Sequence, residues 1–400
     1  MSWVDLRVLE KYANFSELVV NSLGDKIATV VEDEEGQRFI WVNGKTIDEP
    51  FERVNLLQFT PNGDLIASVQ KDGLWTVWKE GVLWEEFFEY LWNLKTDNSG
   101  QKVLANVKID GNYTVCVDGI PWSHSFYDTR DLFVSPTGAK VATYVRLENY
   151  PVLEIFNFAK GMWSLAVNDV FWDKKFLALF GCCFSPKETR VATAVRLTDR
   201  SFTIVVDNVC WEKSFYQVWE PRFLDENQVV APVKTSRGWE LYCNGSPFWE
   251  RSFTQLWNLK VFPEKKRVAA IVALELGKWT LAVDGKTWKP TFGQMVLEPH
   301  FSPDGERIAA LVRHKDRWGL VVDEVCWDLV WERIGDPVFS PKGSKIAAKA
   351  EKDGGYYLLV ENKVLDGPYT YLWDPVFLEE DILLIKGIKE KSYFTKEIKV

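Results

Sequence analysis

An all-β fold is predicted by three features of this sequence. A short apolar strand centred on alanine recurs at a near-constant interval, a Pro–Gly turn leads into it, and an Asn-Gly or Asp-Gly turn follows it. The anchors are Ala28, Ala67, Ala105, Ala142, Ala192, Ala231, Ala269, Ala309, Ala347 and Leu384, separated by 39, 38, 37, 50, 39, 38, 40, 38 and 37 residues. A period of about 40 residues marks stacked supersecondary units, each of which buries its apolar face against the next.

Each unit begins with the same lead-in. Phe301-Ser302-Pro303-Asp304-Gly305 runs into Arg307–Val312, and related segments start at Phe59, Val134, Phe184 and Phe339, with a weaker copy at Val20. Proline fixes φ and lacks an N–H, and glycine two residues later supplies positive φ, so the lead-in joins two strands by a tight turn. A second turn closes the third strand at Asn43-Gly44, Asp118-Gly119, Asn244-Gly245 and Asp284-Gly285. Two tight turns and a longer return divide the period into four short antiparallel strands, the unit of a β-propeller blade.

The aromatic residues follow the same period. One series precedes the second turn (Trp75, Tyr113, Trp163, Phe202, Trp239, Trp279, Trp318, Tyr356), and a second follows it at Trp84, Trp122, Trp172, Trp211, Trp249, Trp288 and Trp327. A third lies four residues further on (Phe88, Phe126, Phe176, Phe215, Phe253, Phe292, Trp331), and a fourth comes before the next blade at Trp92, Trp219, Trp257 and Trp373. Large flat side chains suit the wedge between neighbouring blades, so packing is their expected role in preference to an aromatic ligand cage.

The chain ends support closure. The last unit supplies three strands near 375–378, 381–386 and 392–400, whereas Ser2–Leu9 reads as an orphan outer strand. Pairing the two would remove two exposed sheet edges. Nine continuous blades and one composite blade are therefore expected over residues 1–400, as a single ring in preference to two smaller ones because no linker interrupts the period. The lysines at 386, 389, 391, 396 and 399 are expected to guard an edge.

Composition narrows the function. With 46% hydrophobic and 26% charged residues the chain is ordinary for a globular protein. A net charge of −9 opposes nucleic-acid binding. No apolar run approaches the ~20 residues that span a bilayer, and no secretory signal is visible at the start, so a cytoplasmic location without membrane insertion is expected. The six cysteines contain no Cys-x-x-Cys and are read as reduced strand residues.

Catalytic motifs are not found. The three histidines, His124, His300 and His314, lie apart in sequence, and no metal or cofactor site is expected. Ser123-His124-Ser125 could pair a nucleophile with a base, but an exposed loop histidine is the preferred reading. Asp118, Asp207, Asp284 and Asp323 occupy equivalent turn positions that turn geometry explains, which leaves no non-repeating acidic pair for a carboxylate-dependent hydrolase or lyase.

One departure from the period stands out. The interval from Ala142 to Trp163 is 21 residues, and the surplus, 148–160, is apolar. One reading is an extended hairpin folded back over the ring. The other is a docking element, because insertions into repeats tend to collect on one face, often the binding face, and it makes Tyr150, Leu153, Ile155, Phe156 and Phe158 the candidate partner-binding residues.

The Phe-Ser-Pro-Asp-Gly-x-x-Ile-Ala segment ending at Ala309 resembles the TolB-type, WD40-like propeller repeat. The Gly-His and Trp-Asp pair of WD40 blades does not recur, although Trp327-Asp328 and Trp373-Asp374 occur. A tryptophan-rich chain of this length without cofactor motifs is also similar to the TmcD subunit family of the transmembrane electron-transfer complex of sulfate-reducing bacteria. That resemblance implies protein partners (a multihaem cytochrome, an iron–sulfur subunit and a membrane cytochrome b) and a peripheral place at the inner membrane. The expected function is a non-catalytic scaffold for protein–protein interaction. The alternatives are a glycan-active hydrolase or lyase, and a small-molecule or glycan binder that uses the central channel.

Overall fold

The computed structural model describes residues 3–150 and 160–400. Among these, the strands form ten antiparallel sheets, each with four strand positions, in sequential order in all but the sheet that holds the N-terminal strand. In four sheets the first position is split into two segments, so five strands are counted. The sheets are propeller blades. Two compact units divide the chain: Val4–Leu179 with Val195–Thr198, and Phe180–Ala194 with Asp199–Val400 and Trp3.

The recurring alanine marks the middle of each blade. All nine anchor alanines are wholly buried in second strands, and Leu384 is 5% exposed. A methyl is what fits between two close-packed sheet faces, and even one extra methylene there would be felt. The lead-in serine has a second duty. Ser135, Ser185, Ser302 and Ser340 are buried, and each accepts an Oγ hydrogen bond from the N–H five residues on, at 2.9, 3.1, 2.9 and 3.0 Å. The hydroxyl thus satisfies a backbone donor that the tight turn would otherwise strand.

Two of the aromatic series prove to be direct cross-strand partners. Trp75 bridges Phe88, Tyr113 bridges Phe126, Trp163 bridges Phe176, and the same pairing continues to Trp318 and Trp331. Each pair exchanges backbone hydrogen bonds, such as Trp75 N to Phe88 O and Phe88 N to Trp75 O, both 2.8 Å. The ladder therefore resumes beyond the two-residue fourth strand and carries a ring at each end.

The ends share one sheet, as the repeat count predicts: Trp3–Asp5, Ser392–Lys399 and Ile382–Lys389 are successive neighbours, with Tyr371–Leu372 and Val376–Glu379 in the first position. The N-terminal strand is shorter than the sequence suggests. Asp5 caps a 3₁₀ helix over Leu6–Lys11 by accepting from Arg7 N at 3.0 Å, which ends the strand. Lys386 departs from its expected edge role. It is 6% exposed, burial pushes its ammonium down, and Asp374 partly restores it.

First strands carry a feature the sequence did not announce. Leu56, Asn93, Asp131 and Asn258 have φ of 54°, 55°, 51° and 50°, and the pairing register slips at each. These are β-bulges, which kink a strand and re-aim its side chains.

Candidate functional site

The turn aspartates are occupied by the frame. Asp118, Asp207, Asp284 and Asp323 have φ near 50°, and their Oδ1 atoms accept from an N–H at the start of the second strand at 2.7, 2.9, 2.8 and 2.8 Å. Asn43, Asn168 and Asn244 make the same bond at 2.9, 2.8 and 2.9 Å. A side-chain oxygen and tolerance of positive φ are the shared requirements, so an uncharged amide serves equally well.

Ser123 and His124 meet a partner that the sequence does not reveal. Asp169 Oδ2 accepts from Ser123 Oγ at 2.6 Å, and Asp169 Oδ1 lies 3.0 Å from His124 Nδ1. In a catalytic triad the two imidazole nitrogens point to different partners. Here Nδ1 faces both Asp169 and Ser123 Oγ, the latter at 3.4 Å. The cluster is a latch from one blade to the turn of the next.

Among the described residues no group of three or more His, Cys, Asp or Glu gathers as metal ligands. Two of the thiols are suppressed as nucleophiles: burial pushes Cys116 and Cys183 up to about 12.

Groups outside the repeat collect instead on the first strands between 219 and 300. Pro232 sits in the middle of a second strand, and the first position beside it pairs only at Gln217–Val218 and Arg222–Phe223, the same split that three other sheets show. Trp219 retains one bond, its N–H to Pro232 O at 2.9 Å, and the chain buckles over the next two residues. On the adjacent blade the bulge at Asn258 re-aims Trp257. A cavity of about 340 Å³ opens between these two breaks, lined by Trp219, Glu220, Arg222, Pro232, Trp257 and Asn258, with Leu259 beneath.

The indoles are held from behind. Trp219 stacks on Trp239 with centroids 5.6 Å apart and planes 11° apart, and Trp257 stacks on Trp279 at 4.9 Å and 28°. The fourth aromatic series therefore packs within its own blade. Trp219 is 37% exposed, so its stacking leaves a large area uncovered.

Charge continues from this slot along neighbouring first strands. Glu220 pairs with Arg222 at 3.1 Å, and Glu298 pairs with Lys260. The hydrogen bond from Lys260 holds the Glu298 carboxyl below its ordinary range, with Arg222 and His300 adding to the effect. Burial pushes His300 down, against Asp336 and Glu298; its Nε2 lies 3.7 Å from Asp336 Oδ1 and has no hydrogen bond. Glu220 and Glu298 are each paired with a different cation.

Of the candidate partner-binding residues, Leu153, Ile155, Phe156 and Phe158 lie outside the described residues. Tyr150 is half-buried. The root of the insertion is anchored, since Arg146 Nε donates to Glu148 O at 3.0 Å and Lys175 pairs with Glu148.

Ten blades of this construction define a β-propeller protein. No known protein-family profile matches the chain, and no curated protein sequence matches it. Among solved structures, the crystal structure of the eukaryotic initiation factor is similar at 10% identity and a TM-score of 0.51, over 84% of this chain and 96% of that one. The Dos1 propeller has 11% identity and a TM-score of 0.41, over 77% and 91%. The β-propeller domain of the Trilobed protease from Pyrococcus furiosus has 11% identity and a TM-score of 0.32, over 69% and 95%. The first likeness is one of fold alone. No sequence match ties the chain to the electron-transfer subunit family.

Proposed function

We propose that this chain is a non-catalytic propeller scaffold that binds a protein partner as an accessory subunit of a membrane-associated electron-transfer complex. The observation that carries the scaffold reading is the occupation of its chemistry-bearing groups. The turn aspartates cap backbone, Ser123 and His124 are tied to Asp169, and the Glu298 carboxyl is ion-paired. Membership of a redox complex is supported by the resemblance in sequence character. Among the described residues no helix is long and apolar enough to cross a membrane, so attachment would come through the partner.

The apolar insertion is the docking element in this reading, and Tyr150 is its described aromatic. The test is affinity isolation of the tagged chain from its native extract, with haem absorbance and iron content read in the eluate. Co-elution of haem and iron–sulfur subunits, lost when 148–160 is deleted from a chain that still folds, is the expected result. Elution without either cofactor would overturn the redox assignment. Turnover in a hydrolysis screen would overturn the non-catalytic one.

A further inference from the structure

We propose that the cavity between Trp219 and Trp257 is a saccharide-binding subsite that holds a neutral pyranose ring between two indole faces. The inference goes beyond the protein-scaffold reading and stands without it. A pyranose has an apolar C–H face and a rim of hydroxyls, each of which both donates and accepts. The cavity offers the matching complement. Trp219 and Trp257 supply flat apolar walls, while Glu220 can only accept, Arg222 can only donate and Asn258 can do both.

Rigidity favours binding here. Each wall is backed by a second indole, and Glu220 and Arg222 fix one another at 3.1 Å. Little side-chain freedom remains to be lost when a ligand enters. The split first strand beside Pro232 and the bulge at Asn258 belong to the backbones of adjacent blades, so the site exists before any ligand arrives. Its volume of about 340 Å³ lies at the small end of ligand cavities, which suits one sugar ring with its neighbours extending along the strands.

Competing occupants fit less well. A purely aliphatic ligand would displace water from the Glu220–Arg222 pair and the Asn258 amide and offer them no hydrogen bonds in return. A quaternary ammonium would meet the Arg222 cation beside the ring faces. Glycoside cleavage needs two carboxyls, whereas the lining holds one, Glu220, which is ion-paired to Arg222. The proposal is therefore for binding without turnover.

The test is calorimetric titration of the full chain with cellohexaose, mannohexaose, xylohexaose, laminarihexaose and chitohexaose. At least one should bind with a Kd below about 1 mM, with no release of reducing ends. Trp257→Ala should weaken that binding by at least about tenfold, whereas Trp92→Ala, at the equivalent position in the other unit, should leave it unchanged. Asn258→Gly keeps the positive-φ bulge while removing the amide, and should also weaken binding if Trp257→Ala fails to fold. The proposal is overturned if no hexasaccharide binds at about 10 mM, or if both slot variants bind like the parent. It is equally overturned if tetramethylammonium or a proline decapeptide occupies the slot and the sugars do not.

Discussion

Asp169 binds Ser123 twice, accepting from its hydroxyl at 2.6 Å and from its backbone N–H at 2.9 Å, across 46 residues of sequence. The same carboxylate accepts from His124 N at 3.1 Å. A motif that reads as nucleophile and base is therefore a structural clasp between consecutive blades.

Removing the clasp should loosen the fold without affecting any chemistry. Asp169→Ala leaves the Ser123 and His124 amides without their acceptor, and about 1–2 kcal/mol of stability should be lost because water can reach part of the site. Urea denaturation followed by circular dichroism measures it. An unchanged midpoint would refute the assignment.

Acid should destabilise the protein through carboxylates of this kind. Glu380 accepts from Ser340 Oγ at 2.8 Å and Lys342 N at 2.7 Å as well as from Ser344, and its pKa falls from 4.5 to about 2. A depressed folded-state pKa stabilises above the unfolded value and ceases to do so as pH falls through the folded one. Denaturation midpoints should hold from neutrality to about pH 4.5 and decline between there and about pH 2. Glu380→Gln should flatten that decline, and a profile that matches the parent would count against the bond network.

The two stacked indoles of one blade should differ in their weight. Trp239 is 2% exposed in a cluster with Leu224, Leu241 and Phe253, whereas Trp219 is 37% exposed. Trp239→Ala should cost about 3–5 kcal/mol, and Trp219→Ala clearly less. Thermal or urea melts of the two variants decide the order.

Thiol labelling should separate buried from exposed cysteines. Cys116 is enclosed and pushed up to about 12, whereas Cys326 is exposed. At mild alkaline pH a maleimide should modify Cys326 first and reach Cys116 only after denaturant is added. Mass spectrometry of timed digests locates the label.

Much of this architecture was legible because it repeats. The alanine anchors, Asp118 and its equivalents, and Ser302 with its relatives each do one local job that depends on neighbours a fixed distance away in the chain. The closing sheet was likewise countable from one missing strand, although Asp5 turned most of the expected N-terminal strand into helix. The slot was not legible, since it needs Trp219 and Trp257 from successive blades, and the bulge at Asn258, which recurs at Leu56, Asn93 and Asp131, has no shared residue type to announce it. The latch failed for the same reason: Ser123 and Asp169 are related only through the packed fold. Lys386 was misread because a basic residue in a terminal strand was judged by charge and not by strand position.

The near-parallel stacking of Trp219 on Trp239, 5.6 Å between centroids and 11° between planes, has an optical consequence. Two indole transition dipoles at that separation share their excitation, which should split one absorption band into a couplet of opposite sign in circular dichroism. Trp257 and Trp279 form a second such oscillator pair at 4.9 Å. Among the described residues these are two stacked indole pairs, and the couplet of each should vanish when either of its own two rings is replaced.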